Sequence, residues 1–110
     1  MILRIVNFTL CGIDEAQYKR HAGTVADGFN QWEGLTAKLW LHEPHTSAYG
    51  GAYLFADQAA ADASRATDLF RNMAANPAFA DLSVREYEVI EQLTAITGGA
   101  ALTVPSARSR

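Results

Sequence analysis

Residues 35–42 read LTAKLWLH, and after a loop residues 52–55 read AYLF; these two segments decide the fold. In the first segment, leucine and alanine alternate with a set of polar and aromatic residues, and a period of two is typical of a strand with one buried face. Pro44 and the pair Gly50-Gly51 interrupt the pattern between the segments, as in a loop. The stretch therefore predicts two strands paired as a hairpin. The two alternating sets are Leu35, Ala37, Leu39 and Leu41 on one side and Thr36, Lys38, Trp40 and His42 on the other.

A strand and a helix are predicted before this hairpin. Residues 2–10 are rich in β-branched and aromatic types and end at Cys11-Gly12, which predicts a first, largely buried strand. Asp14 is placed to cap a helix whose apolar positions recur at spacings of four, three and four. These positions, which we expect to face the sheet, are Tyr18, Ala22, Val25 and Phe29.

A second helix and a fourth strand are predicted after the hairpin. Asp57 is a suitable N-cap, and the alanine-rich run that follows predicts one helix to about Met73. Val84 to Ile90 resumes an alternating pattern and predicts a strand. The positions expected to face inward on the helix are Ala59, Ala63, Ala66, Phe70 and Met73.

The resulting order is βαββαβ, which is the ferredoxin-like α+β arrangement with an antiparallel sheet and both helices on one face. The other face is then bare, and the simplest cover is the same face of a second copy, so we predict a homodimer. Residues 1–98 are expected to form one domain. Residues 99–110 are expected to be a C-terminal tail with a flexible end, and Leu93 and Ile96 just before it are expected to dock, with the partner subunit as one possible surface.

Composition narrows the partners of this 110-residue chain. Its net charge of −3 and charged fraction of 19% lack the basic footprint that nucleic-acid binding requires. No segment is long and apolar enough for a membrane span, and the N-terminus does not resemble a signal peptide. The single cysteine, Cys11, cannot form an intrachain disulfide, and we expect it to be inert filling. We predict a cytoplasmic protein without a membrane or nucleic-acid partner.

Side chains on the two hairpin strands suggest a ligand pocket. Lys38 and Trp40 share one face of their strand, and Tyr53 lies on the neighbouring strand beside the glycine pair. An ammonium, an indole and a phenol together suit a flat, electron-rich or anionic small molecule. Trp40, Tyr53 and Phe29 are therefore predicted to bind substrate, although each aromatic could instead fill the core or the dimer interface.

The predicted catalytic residues are His42, Lys38 and Asn7. His42 ends the strand of Lys38, where its side chain could reach a pocket mouth. Asn7 lies within an apolar strand, where a buried amide needs hydrogen-bond partners, whether a ligand or the protein itself. His21 is interpreted as a boundary residue and His45 as a loop residue. The histidine spacing fits no metal site and no phosphate-binding glycine motif is present, so neither a metal nor a cofactor is predicted.

Several spaced motifs resemble the YdhR-like mono-oxygenase family of the dimeric α+β barrel superfamily. The resemblance extends from the first strand to about Gly98, and it implies a homodimer with a small-molecule pocket in each subunit and cofactor-independent oxygenase activity. At position 7 relatives can carry histidine, so Asn7 keeps a polar group but lacks that proton acceptor. The motifs are Asn30-Gln31, Gly34-Leu35, Lys38-Leu39-Trp40, Gly50-Gly51-Ala52-Tyr53-Leu54-Phe55 with Asp57, and Tyr87-Glu88-Val89 with Leu93 and Ile96.

Three functions fit these features. The first is a mono-oxygenase on a small aromatic or polyketide-like substrate, in which Lys38 or His42 favours a phenolate that reacts with oxygen. The second is a non-oxidative cyclase or isomerase on a similar substrate. The third is a small-molecule binding protein without turnover, because a fold does not determine a function. The sequence alone leaves these three open.

Overall fold

A computed structural model describes residues 1–103 and contains one four-stranded sheet. The order of strands across the sheet is β2-β3-β1-β4, and each neighbouring pair is antiparallel. This arrangement confirms the predicted ferredoxin-like α+β fold with βαββαβ order. The strands are β1 Ile2–Leu10, β2 Leu35–His42, β3 Ala48–Phe55 and β4 Phe79–Glu88.

The helices cover one face of this sheet. Asp14 forms a capping box, since its Oδ1 accepts a hydrogen bond from the Gln17 amide at 2.8 Å and the Gln17 Oε1 accepts one from the Asp14 amide at 2.9 Å. Asp57 likewise accepts from the Ala60 amide at 2.8 Å, so both predicted N-caps are confirmed. The helices are α1 Glu15–Val25, a 3₁₀ helix Ala26–Gln31, α2 Gln58–Ser64, α3 Asp68–Ala75, α4 Glu91–Thr94, a π-helical turn Ala95–Gly99, and α5 Ala100–Thr103.

The core lies between the sheet and the helices. On β1 the even-numbered residues from Ile2 to Phe8 are buried beneath the helices, whereas the odd-numbered ones point to the opposite face. Tyr18 of α1 and Phe70 of α3 close the core from the helical side. Phe29, which we placed on the first helix, is buried as predicted but belongs to the 3₁₀ helix.

The prediction of one continuous second helix was wrong. The Thr67 Oγ1 accepts a hydrogen bond from the Phe70 amide at 3.2 Å and begins α3 as a separate helix. The inward positions also differ, because Ala61 and Ser64 are buried on α2. Alanine favours a helix on any face, so an alanine-rich run does not indicate which side is buried. The three alanines predicted to face inward, Ala59, Ala63 and Ala66, are exposed, whereas Phe70 is buried and Met73 is partly buried.

Two strand boundaries also differ from the prediction. β3 begins at Ala48 rather than at residue 52, and β4 spans Phe79–Glu88 rather than Val84 to Ile90. Asp81 has a φ of 54°, and the pairing of β1 with β4 changes register near it. This bulge, just after Asn76 and Pro77, interrupts the alternation that would otherwise have indicated the start of the strand.

The sheet face opposite the helices exposes large apolar side chains, including Leu39, Leu41 and Tyr87. Leu93 and Ile96, which we expected to dock, are also exposed in this single chain. Cys11 is exposed rather than packed as filling. Residues 104–110, most of the predicted tail, lie outside the described residues. No helix within residues 1–103 is long and apolar enough to cross a bilayer.

Candidate functional site

A cavity of about 140 Å³ lies between the helix-covered face of the sheet, the helices α1 and α3, and the 3₁₀ helix. Its volume is close to that of a protein cavity known to hold one benzene molecule, about 150 Å³. His21 and Asn72 are exposed and stand at its mouth. The lining is mainly apolar, with Phe8, Tyr18, Ala22, Val25, Phe29, Trp40, Gly50, Tyr53, Leu69, Met73 and Phe79, and four residues, His21, Lys38, Asn72 and Asn76, add polar groups.

The amino group of Lys38 is surrounded by aromatic side chains within this cavity. Its Nζ lies 3.6 Å from the ring centre of Trp40, 4.1 Å from that of Tyr53 and 4.5 Å from that of Phe29. It also donates a hydrogen bond to the Tyr53 hydroxyl at 2.9 Å. Three ring faces and one hydroxyl therefore form its immediate surroundings.

Burial changes the acidity of both hydrogen-bonded groups. It lowers the pKa of Lys38 to about 7, because an ammonium loses its hydration in the cavity. It raises the pKa of Tyr53, so this phenol stays protonated at neutral pH. Among residues 1–103, no carboxylate oxygen lies within 4 Å of the Lys38 Nζ. Lys38 is thus a much weaker base than a lysine in water.

The strand register explains why these groups meet. Lys38 pairs with Tyr53 and Trp40 pairs with Gly51, which places their side chains on the helix-covered face. A Cβ on Gly51 would lie only 2.9 Å from the Lys38 Nζ and 3.2 Å from the Tyr53 ring. The absence of a side chain at Gly51 therefore leaves room for the lysine amino group to bend over the sheet.

The structure brings together four of the six predicted site residues: Lys38, Trp40, Tyr53 and Phe29. Asn7 is not among them. It is exposed and lies on the opposite face of the sheet, because it has the parity of Ile5 rather than that of Val6 and Phe8. The expectation of a buried amide at Asn7 was wrong.

His42 also lies outside the cavity, although it is on the same sheet face as Lys38. Its ring stacks on Tyr49 with centres 4.2 Å apart, and its Nδ1 is 3.3 Å from the Glu15 Oε1. The Tyr49 hydroxyl donates to the same oxygen at 2.6 Å, which raises the pKa of Tyr49 to about 12 and lowers that of Glu15. These contacts connect the end of the hairpin to α1.

Several cavity residues were missed in the sequence. On α3 and its C-cap, Leu69, Asn72 and Asn76 were missed; they recur with Met73, which was predicted to face inward, at the spacing of one helical face, so two amides on an apolar stripe could have been recognised. The Asn76 side chain accepts a hydrogen bond from the Ala78 amide at 2.9 Å. Asn72 makes no side-chain hydrogen bond to the described residues and is free to bind a ligand at the mouth.

Arg4 was also missed, and it is completely buried next to the cavity. Its guanidinium donates to the carboxylate of Glu86, the hydroxyl of Ser64 and the carbonyl oxygen of Ala61, each at 2.8 Å. Its charge and donors are thus compensated by the protein, which gives Arg4 a structural role. No group of three or more His, Cys, Asp or Glu side chains among the described residues is placed to hold a metal ion.

Comparison with solved structures supports the fold. A "putative antibiotic biosynthesis monooxygenase" from Deinococcus radiodurans superposes with a TM-score of 0.69 and 14% identity, covering 81% of this chain and 92% of that chain. SnoaB, a cofactor-independent oxygenase from Streptomyces nogalater, superposes with a TM-score of 0.66 and 18% identity, covering 80% and 91%. No curated protein sequence matches the chain.

The family is established by the sequence rather than by these distant structures. A family model described as "Putative mono-oxygenase ydhR" matches residues 2–100 of this 110-residue chain. The match confirms the resemblance identified from the motifs around Lys38 and Tyr53. The chain belongs to the ydhR family.

Proposed function

We propose that the protein is a cofactor-independent mono-oxygenase that acts on a small aromatic or polyketide-like substrate with an acidic phenol or enol. Membership of a family described as "Putative mono-oxygenase ydhR" supports this reaction class. The observation that carries the proposal is the half-buried Lys38 amine, which three ring faces surround and whose pKa is lowered to about 7, within a cavity large enough for one aromatic ring. Larger polycyclic substrates would extend through the mouth beside His21 and Asn72.

Lys38 acts as the general base in this proposal. A base with a pKa near neutral can take a proton from a phenol or enol and still be regenerated under the same conditions. The proton transfer leaves an ammonium beside the new oxyanion, and their attraction is stronger beside the mainly apolar lining of this cavity than in bulk water. Trp40 and Phe29 would hold the ring of the substrate by stacking.

The oxidation itself requires only the substrate and dioxygen. The enolate or phenolate carbon supplies electrons to dioxygen and forms a carbon–oxygen bond, giving a hydroperoxide after protonation. Loss of water then breaks the oxygen–oxygen bond, and a CH₂ group has become a carbonyl group. One oxygen atom is in the product and the other is in water, so dioxygen is both oxidant and oxygen source. The proton held by Lys38 can be transferred to the peroxide oxygen when the hydroperoxide forms, which regenerates the free amine.

Oxygen uptake with anthrone- and hydroquinone-type substrates tests this function. We expect uptake with the wild-type protein and a loss of about 10²-fold or more in Lys38→Met, in keeping with the usual contribution of a general base. Lys19→Met is the matched control, since Lys19 is exposed on α1 and is the only other lysine in the sequence. The rate should rise with pH and level off above about 7, as Lys38 loses its proton. Trp40→Ala and Tyr53→Phe should weaken substrate binding.

The outcomes separate the three functions that the sequence left open. Rearranged substrate without oxygen uptake would replace the oxygenase with a cyclase or isomerase. Tight binding with neither reaction would indicate a binding protein. Wild-type activity in Lys38→Met would exclude Lys38 as the base.

We further propose that the protein is a cytoplasmic homodimer. The support is the exposed apolar surface of the open sheet face, which carries Leu39, Leu41 and Tyr87. Burying this face against its copy would protect it from water. Light scattering during size-exclusion chromatography should give a dimer mass for the wild type and for Arg71→Glu on α3, and a monomer mass for Leu41→Glu. A monomeric wild-type protein would contradict the proposal.

A further inference from the structure

Lys38 combines features that suit covalent chemistry as well as proton transfer. Its amino group lines the cavity, is hydrogen-bonded to a neutral phenol, and has no carboxylate partner among the described residues. A lysine that is desolvated in an apolar pocket is an activated nucleophile. The cavity is also lined by ring faces, which favour a flat ligand.

We propose that Lys38 forms an imine with small aromatic aldehydes and ketones that enter the cavity. This activity uses the cavity of the proposed oxygenase but needs no dioxygen, so the two can be tested separately. The aromatic ring of the carbonyl compound occupies the cavity beside Phe29 and Trp40, whose own rings contact each other edge to face with centres 5.6 Å apart, and its carbonyl carbon meets the Lys38 Nζ.

The Tyr53 hydroxyl is placed to assist this reaction. The nitrogen lone pair forms a bond to the carbonyl carbon, the carbonyl π electrons move to oxygen, and Tyr53 supplies the proton that this oxygen takes up. The proton lost from nitrogen returns to the Tyr53 oxygen, which lies 2.9 Å from Nζ. The carbon–oxygen bond of the carbinolamine then breaks as the nitrogen lone pair forms the C=N bond; the hydroxyl takes a proton from Tyr53 and leaves as water, and the remaining proton on nitrogen returns to the Tyr53 oxygen. One amine and one carbonyl compound thus give one imine and one water, and nothing is oxidised or reduced.

The two lysines of the chain provide an internal comparison. Lys38 is half-buried, whereas the Lys19 side chain is 71% exposed and lies 3.4 Å from the Glu15 carboxylate. At pH 7 an amine with a pKa of about 7 is half unprotonated, against less than about 0.1% for a lysine in water. The unprotonated fraction thus favours Lys38 strongly, and the lower nucleophilicity of a less basic amine offsets only part of this advantage. We therefore expect Lys38 to react at least about tenfold faster than Lys19.

Reductive trapping tests the proposal. The protein is incubated at pH 7 without oxygen with benzaldehyde and sodium cyanoborohydride, which reduces an imine to a stable secondary amine. Intact mass should show one benzyl group in place of one hydrogen, and peptide mapping should place it on Lys38 rather than on Lys19 or the Met1 amino group. Benzyl alcohol, which fits the cavity but cannot form an imine, should slow the modification of Lys38 alone.

Matched variants complete the experiment. Lys19→Arg should be trapped like the wild type, Lys38→Arg should not be trapped at low benzaldehyde concentration, and Tyr53→Phe should be trapped more slowly. Modification of Lys19 or Met1 at least as fast as Lys38 in the wild type would overturn the proposal, and so would a Lys38 modification that benzyl alcohol does not slow. Trapping at Lys38 without oxygen uptake would support the imine and refute the oxygenase; oxygen uptake without trapping would do the reverse.

Discussion

Replacing Lys38 by methionine should reveal how much stability the buried amine costs. Burial lowers its pKa from 10.5 to about 7, and this difference corresponds to at most about 5 kcal/mol of unfavourable free energy when the group is protonated in both states. The three neighbouring ring faces favour the ammonium and limit the cost. Methionine fills a similar volume without a charge, so Lys38→Met should be more stable than the wild type at neutral pH.

The pH dependence separates this electrostatic cost from a packing effect. Between pH 7 and 10.5 the unfolded chain keeps the Lys38 proton whereas the folded protein loses it, so the wild type becomes more stable as the pH rises. From pH 7.5 to 9.5 the two pKa values give a gain of about 2.5 kcal/mol. Lys38→Met lacks this contribution, while every other titrating group is shared, so its advantage should shrink by that amount.

Urea unfolding of both proteins at pH 7.5, 8.5 and 9.5 measures this change. Lys19→Met, which alters an exposed lysine, should follow the wild type in parallel across the series. A difference between wild type and Lys38→Met that stays constant within about 0.5 kcal/mol would refute the reasoning, because it would mean that Lys38 keeps its proton in the folded protein. The general base and the imine would then lose their physical basis.

Two further predictions concern residues that support the site, namely the ion pair of Arg4 and Glu86 and the glycine that packs against β1. Glu86→Ala should destabilise the protein by about 3 to 5 kcal/mol in urea unfolding, because it leaves Arg4 buried without its carboxylate. Arg65→Ala, which removes a half-exposed partner of the same carboxylate, should cost less than about 1 kcal/mol. Equal costs of the two substitutions would contradict the proposed dependence of Arg4 on Glu86. Gly50→Ala should abolish folding or lower the Tm sharply, because a Cβ there would collide with the backbone of β1. Gly23→Ala in α1, where a Cβ meets nothing within 4 Å, should instead stabilise the protein by about 0.5 to 1 kcal/mol in calorimetry. A Gly50→Ala protein that folds and is stable would refute the close approach of β3 to β1 at Gly50.

The sequence predicted the order of elements and the bounds of β2 because alternation along a strand with one exposed face is a direct signal. Residues 35–42 matched the structure at both ends, but the pairing of β2 with β3 shifts register between Leu35 and Ala37. Leu35 is therefore buried on the face of Lys38, and its predicted grouping with Leu39 and Leu41 was wrong. The break between α2 and α3 was missed because alanines form a helix without indicating its buried side, and the cap at Thr67 looks like any polar residue. The start of β4 was missed because the bulge at Asp81 interrupts the pattern of a strand.

The candidate site was only partly predictable, because some of its residues lie on elements whose local pattern does not show which side faces inward. Lys38, Trp40 and Tyr53 were grouped correctly because strand parity and the hairpin determine which side chains share a face. The first strand looked apolar on both faces, so its sequence did not indicate whether Arg4 or Asn7 pointed inward. Contributions from α3 depend on how a helix packs over the sheet, and no local pattern in a single sequence specifies that.

Lys38 and Arg4 belong to one row of side chains, and the comparison between them explains why only one is available for chemistry. The register runs across the whole sheet from Lys38 to Tyr53, then to Arg4, and then to Glu86. Both cations are desolvated and both contact aromatic rings. Arg4 has a carboxylate and two further acceptors, so its charge is permanent and its role is structural. Lys38 has a phenol in place of a carboxylate, and the roles that we propose for Lys38 require such a neutral partner, which does not hold the lysine proton by opposite charge.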